Sequence, residues 1–415
     1  MRDILFFTNG DANNANLWSN VPYCFSHALE NKGDIVHRVD YSIPSPFVKF
    51  YDLVLRRILD SLTFWKLRFP YVNSTKLFKY FAERKIKRAI LQYPQADLCL
   101  FMGYRFYNKW NNVPSLLFSD WTTEMDILKK RKPNYLEKRI IRQEAEAINN
   151  AEYVVSLFPV CCEEMKKKYP KANIHFLGGN VINDLSGLRL RETHHNPPCL
   201  GRENQTTKEQ GNQQISSSSK DIYVDTLLET KAKSKRLLFI GRKTTYLEAA
   251  KKLIEAYKLL KEEEAYKDYE LDIVGCAASD FGSLPEGVTC YGFLNKSEEK
   301  DRKTYYDLLL NAKVLVNANP KWGAFSSTVE AMYYYTPVIV SPYQDFVKNF
   351  GEKIDFGVYN QNFTAKSIAT DIKSIINSDN YIEMCNFAHE KVKSYTWENY
   401  VKQLCCLVNS YLVKG

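Results

Sequence analysis

Short apolar runs alternate with longer amphipathic segments in the first half of this 415-residue chain. The runs have the length and spacing of buried strands, and the segments between them have helical periodicity. This alternation indicates a parallel α/β sheet, because parallel strands need a crossover connection that is usually a helix. The predicted strands are Ile4–Thr8, Ile35–Val39, Asp97–Met102, Ser115–Ser119, Tyr153–Leu157 and Ile174–Leu177.

The second half repeats the pattern and predicts a second parallel α/β domain. Within it, Val314–Ala318 predicts a strand, Ser326–Tyr334 a helix, and Val338–Val340 a further strand. Thr336 and Pro337 end that helix, because proline cannot continue it. The other predicted strands of this half are the run that begins at Arg236, Glu270–Val274 and Val288–Phe293.

A polar segment separates the two halves. Glu192–Lys220 is rich in Asn, Gln, Ser, Thr and Lys, and its only large apolar residues are Leu200 and Ile215. Because it cannot bury enough apolar surface to order itself, it is predicted to be a disordered insertion. The predicted organisation is a Rossmann-like domain at 1–185, a polar and disordered linker at 186–234, a second Rossmann-like domain at 235–390, and a C-terminal helix at 391–415 that packs back on the first domain.

The formal net charge of +9 is concentrated in one segment, Lys49–Arg88. This segment holds eleven Lys or Arg residues against three acidic ones, with aromatic side chains interleaved. Such a basic, aromatic and helix-prone surface favours an anionic partner, and an anionic membrane surface is the partner predicted here. A solvated helical face is the alternative. The sequence has no zinc-finger spacing and no RNA-binding signature, so no nucleic-acid partner is expected.

The ten cysteines are scattered, and none belongs to a C-x-x-C pair. This usage is typical of a reducing compartment rather than of a disulfide framework. The N-terminus carries Asp3 and turns polar within ten residues, so it predicts a first strand rather than a signal peptide. No apolar stretch reaches the ~18 residues that span a bilayer. The expected location is the cytoplasm, with peripheral attachment to the cytoplasmic face of a membrane as a further expectation.

The strand–loop–helix unit of the second half offers candidate anion-binding groups. Ligands of parallel sheets bind where strands end and helices begin, and a helix N-terminus presents free N–H groups to an anion. Ser326 and Ser327 begin the predicted helix, and the Glu330 carboxylate one turn later can accept hydrogen bonds from hydroxyl groups. Arg242 and Lys243 follow another predicted strand, where their charges can face phosphate groups.

The order of several short motifs in the second half is more informative than any one of them. The motifs are Leu237–Arg242, a strand with Gly-Arg at its end; Leu271–Gly275, the next strand; Tyr291–Leu294, a loop with one glycine; Phe325–Met332; and Thr336–Ile339. In this order and spacing they resemble the family 4-like retaining glycosyltransferases of the GT-B fold. The resemblance covers most of the chain except Glu192–Lys220.

The resemblance implies two Rossmann-like domains that face each other across a cleft. It implies transfer of a sugar, with retention of configuration, from a UDP- or GDP-sugar to a glycan or lipid-linked acceptor held by the first domain. The implied catalytic residues are Arg242, Lys243 and Glu330. The implied donor contacts are Gly241, Gly275, Phe293, Leu294, Trp322, Gly323, Ala324, Phe325, Ser326, Ser327 and Glu330. The implied acceptor-side residues are Asn9, Gly10, Asp120 and Trp121.

Two departures from the family pattern leave other functions open. The position of the family's first glutamate holds Trp322, and the family's lysine beyond Gly-Arg has no counterpart, for which Lys243 is a candidate substitute. The chain contains no Asp-x-Asp motif, which predicts that no metal ion and no cofactor other than the donor is needed. A non-catalytic nucleotide-sugar-binding protein and another GT-B activity, such as a phosphorylase, are the alternatives.

Overall fold

Two parallel sheets of six strands and one short two-stranded sheet organise the described part of the chain. The structure is a computed structural model that describes residues 1–62, 71–128, 131–178, 180–186, 189–191, 221–320 and 325–412. The first sheet contains β1 (Asp3–Thr8), β2 (Ile35–Asp40), β3 (Leu98–Met102), β4 (Ser115–Ser119), β5 (Tyr153–Ser156) and β6 (Ile174–Phe176). The short sheet pairs β7 (Arg189–Arg191) with β8 (Asp221–Tyr223). The second large sheet contains β9 (Arg236–Ile240), β10 (Glu270–Val274), β11 (Val288–Gly292), β12 (Val314–Asn317), β13 (Val338–Val340) and β14 (Gly357–Tyr359).

Helices connect the strands in both halves. Those of the first half are α1 (Val21–Asn31), α2 (Ser45–Phe50), α3 (Arg56–Leu62), α4 (Lys76–Gln92), α5 (Thr123–Leu128), α6 (Tyr135–Asn150) and α7 (Pro159–Lys168). Those of the second half are α8 (Val224–Lys233), α9 (Lys243–Lys261), α10 (Glu299–Asn311), α11 (Ser326–Tyr333), α12 (Gln344–Phe350), α13 (Ala365–Ile376), α14 (Tyr381–Val392) and α15 (Trp397–Leu412).

The strand order of each large sheet reverses beside its first strand. The orders are β2-β1-β3-β4-β5-β6 and β11-β10-β9-β12-β13-β14, and every pairing is parallel. The reversals lie between β1 and β3 and between β9 and β12. Open α/β sheets bind ligands outside the carboxyl ends of strands at such reversals. The predicted fold class, two Rossmann-like α/β domains, is therefore confirmed.

The apolar core continues from the first domain into the second. All five residues of β3 and of β4 are buried, which explains why β3 is continuously apolar rather than alternating. The same core includes Phe325, Val329 and Met332 of the second domain. The two domains thus meet through an apolar interface, and this interface holds the loops at the ends of their sheets close together.

The last helix, α15, packs on the first domain although it follows the second domain in the chain. The Trp397 ring lies 4.8 Å from that of Phe25 on α1, and its indole N–H donates to Asn183 Oδ1 at 2.8 Å. The Tyr153 hydroxyl donates to the Val408 carbonyl at 3.4 Å. These contacts attach α15 to the first domain, while the predicted domain limits at 185, 234 and 390 stay predictions.

A helix lies within the polar linker predicted at 186–234. Residues 224–233 form helix α8, whose Val224 and Leu227 are buried in the core of the second domain. Lys231 completes the buried face, and its ammonium donates to Thr336 Oγ1 at 2.7 Å. Burial lowers the pKa of Lys231 to about 7. The pattern missed this helix because a lysine on its buried face counts as polar. The predicted insertion Glu192–Lys220 lies outside the described residues.

A buried carboxylate in the first domain makes its stability depend on pH. Glu144 on α6 is buried and accepts hydrogen bonds from the backbone N–H and the hydroxyl of Thr123. Burial raises the pKa of Glu144 from its ordinary 4.5 to about 7. A folded-state pKa above the unfolded value gives stability that is complete below about pH 4.5 and is lost as the pH rises through about 7.

We expect Glu144→Gln to remove this pH dependence, because an amide does not titrate. At about 1.4 kcal/mol per pKa unit, the wild type loses up to about 3 kcal/mol across this window relative to the variant. Denaturant unfolding of both proteins at ~pH 5 and ~pH 8 measures the difference. Glu146→Gln, exposed on the same helix, is the matched control. Equal changes in unfolding free energy for wild type and Glu144→Gln would contradict the assignment.

Candidate functional site

A cavity of about 360 Å³ lies between the two domains, at the carboxyl ends of β9 and β10 and beside the start of α11. Its volume is within the range of small-ligand sites. The first domain lines it with Ala15, Asn16, Trp18, Ser19, Asn20, Asp120 and Asn183. The second domain lines it with Ile240, Gly241, Arg242, Thr245, Tyr246, Val274, Gly275, Phe293, Leu294, Lys296, Tyr305, Ser326, Ser327 and Glu330.

Two glycines let the loops after β9 and β10 meet backbone to backbone. Gly275 has φ +93°, and a Cβ added there would lie 2.4 Å from the Gly241 carbonyl oxygen. The Lys243 N–H donates to the Gly275 carbonyl at 3.1 Å, and the Gly241 N–H donates to the Val274 carbonyl at 2.9 Å. The start of α9 is therefore fixed by backbone contacts that only glycine at position 275 permits.

Arg242 occupies the cap position of α9 and lines the cavity. Its side chain is exposed, with the guanidinium carbon 5.6 Å from the Phe293 ring centroid. Across the described ranges, no carboxylate pairs with this guanidinium. The N-terminus of α9 adds the positive end of a helix dipole to the same place. Arg242 and α9 together make this wall suited to an anion.

Lys243 is directed away from that wall. Its ammonium lies 3.0 Å from Asp280 Oδ1, and its side chain is 61% exposed. Asp280 also accepts from the Ala277 N–H at 2.8 Å, so the carboxylate is held in place. The sequence-based role of Lys243 at a phosphate stays a prediction, and the structure brings Arg242 but not Lys243 into the cavity wall.

Glu330 lies one turn into α11, behind Ser326 and Ser327, and all three line the cavity. The Glu330 side chain is only 5% exposed. Tyr305 donates to its Oε2 at 2.7 Å, and Lys296 donates to its Oε1 at 3.2 Å. A buried carboxylate is tolerated here because a cation and hydroxyl donors hold it.

The hydroxyl groups of the two tyrosines beside Glu330 stay protonated and can donate hydrogen bonds. Tyr306 donates to Glu330 Oε1 at 3.1 Å, and its own oxygen accepts from the Leu185 N–H at 2.7 Å. Burial, followed by the nearby carboxylate, raises the pKa of Tyr305 and of Tyr306 well above the ordinary value. Both hydroxyls therefore stay protonated, and Tyr306 connects the site to the segment that leaves the first domain.

A left-handed backbone segment forms part of the first-domain wall. Trp18, Ser19 and Asn20 have φ values of +43°, +53° and +73°, and none of them is glycine. Asn183 Nδ2 donates to the Ser19 carbonyl at 3.0 Å and helps to hold this conformation. Such conformations cost on the order of 1–3 kcal/mol each and concentrate at functional sites. The segment is a candidate ligand-contacting loop.

The predicted acceptor-side residues divide into two groups. Asp120 lines the cavity, its Oδ1 accepts from the Trp121 N–H at 2.8 Å, and burial raises the pKa of Asp120. Trp121 stacks on Phe158 with ring centroids 4.9 Å apart, outside the cavity wall. Gly10 donates its N–H to the Asp40 carboxylate at 2.9 Å, and neither Gly10 nor Asn9 lines the cavity.

Only some of the other residues predicted to contact the donor line the cavity. Gly241, Gly275, Phe293 and Leu294 come together in the cavity wall. Phe325 is buried in an aromatic cluster behind it, 5.4 Å from the Phe346 ring. Trp322, Gly323 and Ala324 lie outside the described residues.

Sequence reasoning missed several lining residues. They include Trp18, Ser19, Asn20, Asn183, Thr245, Tyr246, Lys296 and Tyr305. The available signal was the position of Lys296, two residues beyond the Tyr291–Leu294 motif, together with the polar run between the first strand and α1.

Two observations concern the predicted metal independence and the predicted attachment to a membrane. Within the described residues, no group of three or more His, Cys, Asp or Glu side chains is arranged to hold a metal ion. Metal independence is not tested by that observation and stays a prediction. Every helix in the described ranges is too short or too polar to cross a bilayer.

Three solved structures resemble the chain over nearly its whole length. A sucrose-phosphate synthase from Thermosynechococcus elongatus has a TM-score of 0.60 at 14% identity, with 100% of both chains covered. A glycosyltransferase from Rickettsia africae has a TM-score of 0.59 at 12% identity, covering 99% of this chain and 98% of that one. WaaG, a glycosyltransferase involved in lipopolysaccharide biosynthesis, has a TM-score of 0.58 at 10% identity, covering 94% and 95%.

These similarities define the class of fold. The chain has the GT-B fold, with two Rossmann-like domains and a cavity between them. No family model and no curated protein matches the sequence. Identities of 10–14% establish the fold alone, so activity and membership of the family 4-like group are argued below from the site.

Proposed function

We propose that this protein is a glycosyltransferase that moves a sugar from a nucleotide-sugar donor to a glycan or lipid-linked acceptor. The observation that carries the proposal is a single interdomain cavity that contains both the Arg242 wall at the start of α9 and the buried Glu330 carboxylate. These two features suit the two polar parts of a nucleoside diphosphate. Retention of configuration, metal independence and membership of the family 4-like group belong to the proposal and derive from the motifs.

The diphosphate of the donor is assigned to the N-terminal ends of α9 and α11. The Arg242 guanidinium offers a forked set of donors, and Ser326 and Ser327 offer hydroxyl groups beside a helix N-terminus. In the reaction the diphosphate leaves with a growing negative charge. Pre-placed donors that face this charge lower the barrier, and such electrostatic stabilisation is usually the largest catalytic contribution.

The ribose and base are assigned to groups that neighbour the diphosphate position. Glu330 accepts hydrogen bonds from ribose hydroxyl groups, and Phe293 and Leu294 contact the base. Phe293 is 62% exposed and lies beside Arg242, so its ring is accessible to a planar ligand. The acceptor approaches from the first-domain wall, where Asp120 and the left-handed segment Trp18–Asn20 line the cavity.

A panel of UDP- and GDP-sugars tests the proposal. We expect one sugar nucleotide to raise the melting temperature and to be hydrolysed slowly in the absence of acceptor. A rise in melting temperature without hydrolysis or transfer favours a non-catalytic nucleotide-sugar-binding protein. Release of a sugar phosphate that depends on inorganic phosphate favours a phosphorylase. No response to any nucleotide sugar or nucleoside diphosphate would overturn the donor assignment.

We further propose that the first domain docks on an anionic membrane at the cytoplasmic face, where a lipid-linked acceptor is held. Apolar side chains on α2–α4 and the turn between α2 and α3 are exposed; they include Phe50 at 53%, Leu53 at 57%, Leu62 at 72% and Tyr80 at 59%. Exposed basic residues accompany them: Lys49, Arg57 and Lys76. Apolar groups of this kind enter the headgroup layer, while the cations attract anionic lipids.

Co-sedimentation with vesicles decides whether this surface binds membranes. We expect binding to phosphatidylserine-containing vesicles that weakens with salt, since the Debye length is ~8 Å at physiological ionic strength. Replacing Lys49, Arg57 and Lys76 with Gln is expected to weaken binding by about 1 kcal/mol per charge. The same change at Lys258, Lys300 and Lys303 in the second domain is the control. Equal binding to neutral and anionic vesicles contradicts docking by charge.

A further inference from the structure

The Glu330 carboxylate and the Lys296 ammonium form an ion pair in the cavity wall. Lys296 Nζ lies 3.2 Å from Oε1 and 3.5 Å from Oε2 of Glu330. We propose that this pair recognises the two neighbouring hydroxyl groups of the donor ribose, one donating to Glu330 and the other accepting from Lys296. The inference rests on the proposed function, and it adds to the donor site a residue that no motif assigns.

Glu330 alone has too few free acceptor positions to bind both hydroxyl groups of a diol. An ionised carboxylate has about four lone-pair positions. Tyr305, Tyr306 and Lys296 fill three of them, at 2.7, 3.1 and 3.2 Å. The remaining position accepts from one hydroxyl group. The second hydroxyl of a diol must therefore find its partner elsewhere, and the nearest charged donor is the one already bound to Glu330.

Lys296 has the geometry for this role. Its side chain is 14% exposed, lines the cavity and comes from the loop between β11 and α10. An ammonium group has three N–H donors. One faces Glu330, and another faces the Asn183 carbonyl at 3.5 Å. The third can donate to a hydroxyl oxygen while the ion pair with Glu330 stays intact.

The other donors around Glu330 are not available to a ligand in this way. Each tyrosine has a single hydroxyl hydrogen. Tyr305 gives it to the carboxylate, and the Tyr306 hydroxyl lies closer to Glu330 Oε1, at 3.1 Å, than to the Asn183 carbonyl, at 3.4 Å. Lys296 is also held against the Tyr305 ring, with Nζ 4.5 Å from the ring centroid. This contact orients the ammonium before a ligand arrives. A donor and an acceptor thus stand side by side, in the arrangement that complements adjacent hydroxyl groups.

Binding of UDP and GDP, compared with their 2′-deoxy and 3′-deoxy counterparts, tests the inference. We expect the wild type to bind the ribose form of its preferred nucleotide at least about tenfold more tightly than either deoxy form, because each lost hydroxyl removes one hydrogen bond to a charged group. Lys296→Met is expected to weaken the ribose form about tenfold. One of the two deoxy forms lacks the hydroxyl group that contacts Lys296. Its affinity is expected to change little between the wild type and Lys296→Met, so the variant no longer binds the ribose form more tightly than this deoxy form.

Two further variants separate recognition from folding. Lys303→Met removes an exposed ammonium from α10 and is expected to keep the wild-type preference. Lys296→Gln keeps a neutral hydrogen-bond donor for Glu330. It is the variant to use if Lys296→Met does not fold. Its preference for ribose is expected to lie between those of the wild type and Lys296→Met. Melting temperatures of all variants show which proteins are folded.

The outcomes distinguish this inference from the proposed function. If the wild type binds neither UDP nor GDP, the donor assignment fails and the inference fails with it. If the wild type binds a nucleotide without preferring ribose, diol recognition is wrong while the donor assignment survives. If the wild type prefers ribose, and folded Lys296→Met or Lys296→Gln keeps the full preference, Lys296 is not a recognition residue.

Discussion

Replacing Arg242 with alanine is expected to lower the turnover number by about 10²–10³-fold, the scale seen when one pre-placed donor to a developing charge is removed. Arg242 lines the cavity at the cap of α9, and no carboxylate among the described residues competes for its guanidinium. Its full charge is therefore available to the leaving diphosphate. The Michaelis constant is expected to change less, because the charge grows in the transition state.

Steady-state kinetics with the donor found in the nucleotide-sugar panel measures this effect. Arg142→Ala, an exposed arginine on α6, is the matched control and is expected to retain wild-type turnover. Lys243→Ala gives a second comparison: the sequence predicts a loss like that of Arg242→Ala, whereas the ion pair with Asp280 predicts a smaller one. An unchanged turnover number in folded Arg242→Ala would remove Arg242 from the catalytic assignment.

Replacing Gly275 with alanine is expected to abolish tight donor binding and to destabilise the second domain. The new Cβ would lie 2.4 Å from the Gly241 carbonyl oxygen, and the φ of +93° is unfavourable for alanine. Backbone strain of this kind costs on the order of 1–3 kcal/mol. Relief of the clash must move the ends of β9 and β10 apart, which displaces the start of α9. A loss of nucleotide affinity of tenfold or more is expected, on the order of 1.4 kcal/mol or more.

Gly282→Ala is the matched control, because no heavy atom lies within 4 Å of a Cβ placed there. Thermal unfolding and nucleotide titration of the two variants separate the clash from the general effect of replacing glycine. We expect Gly282→Ala to keep the wild-type melting temperature and affinity. Wild-type values for Gly275→Ala would show that the close approach of the two loops is not needed for the site.

The fold was predictable from the sequence because the central strands, such as β1, β3 and β5, are mostly apolar and buried. Runs such as Leu98–Met102 leave little ambiguity between strand and helix, and their regular alternation with helices determines a parallel sheet. The start of α9 was less predictable. Its first residues carry no apolar periodicity, and the helix begins at Lys243 because of its backbone contact with Gly275.

Part of the candidate site depends on contacts that no local pattern encodes. Lys296 meets Glu330 across 34 residues of chain, and Lys243 meets Asp280 across 37. Whether a lysine faces a cavity or a neighbouring carboxylate is decided by the path of loops between strands. The left-handed conformation of Trp18–Asn20 is equally invisible, because none of these residues is a glycine that would indicate it.

The hydrogen bonds of Tyr306 have a thermodynamic consequence. This hydroxyl joins Glu330 to the Leu185 N–H, and the neighbouring Asn183 accepts from the Trp397 indole. A ligand that strengthens the hydrogen bonds at Glu330 must favour one position of residues 183–185. By reciprocity of coupling, any contact that fixes that position raises the affinity for the ligand by the same factor. Trp397, outside the cavity wall, is therefore expected to influence ligand affinity through the position of residues 183–185.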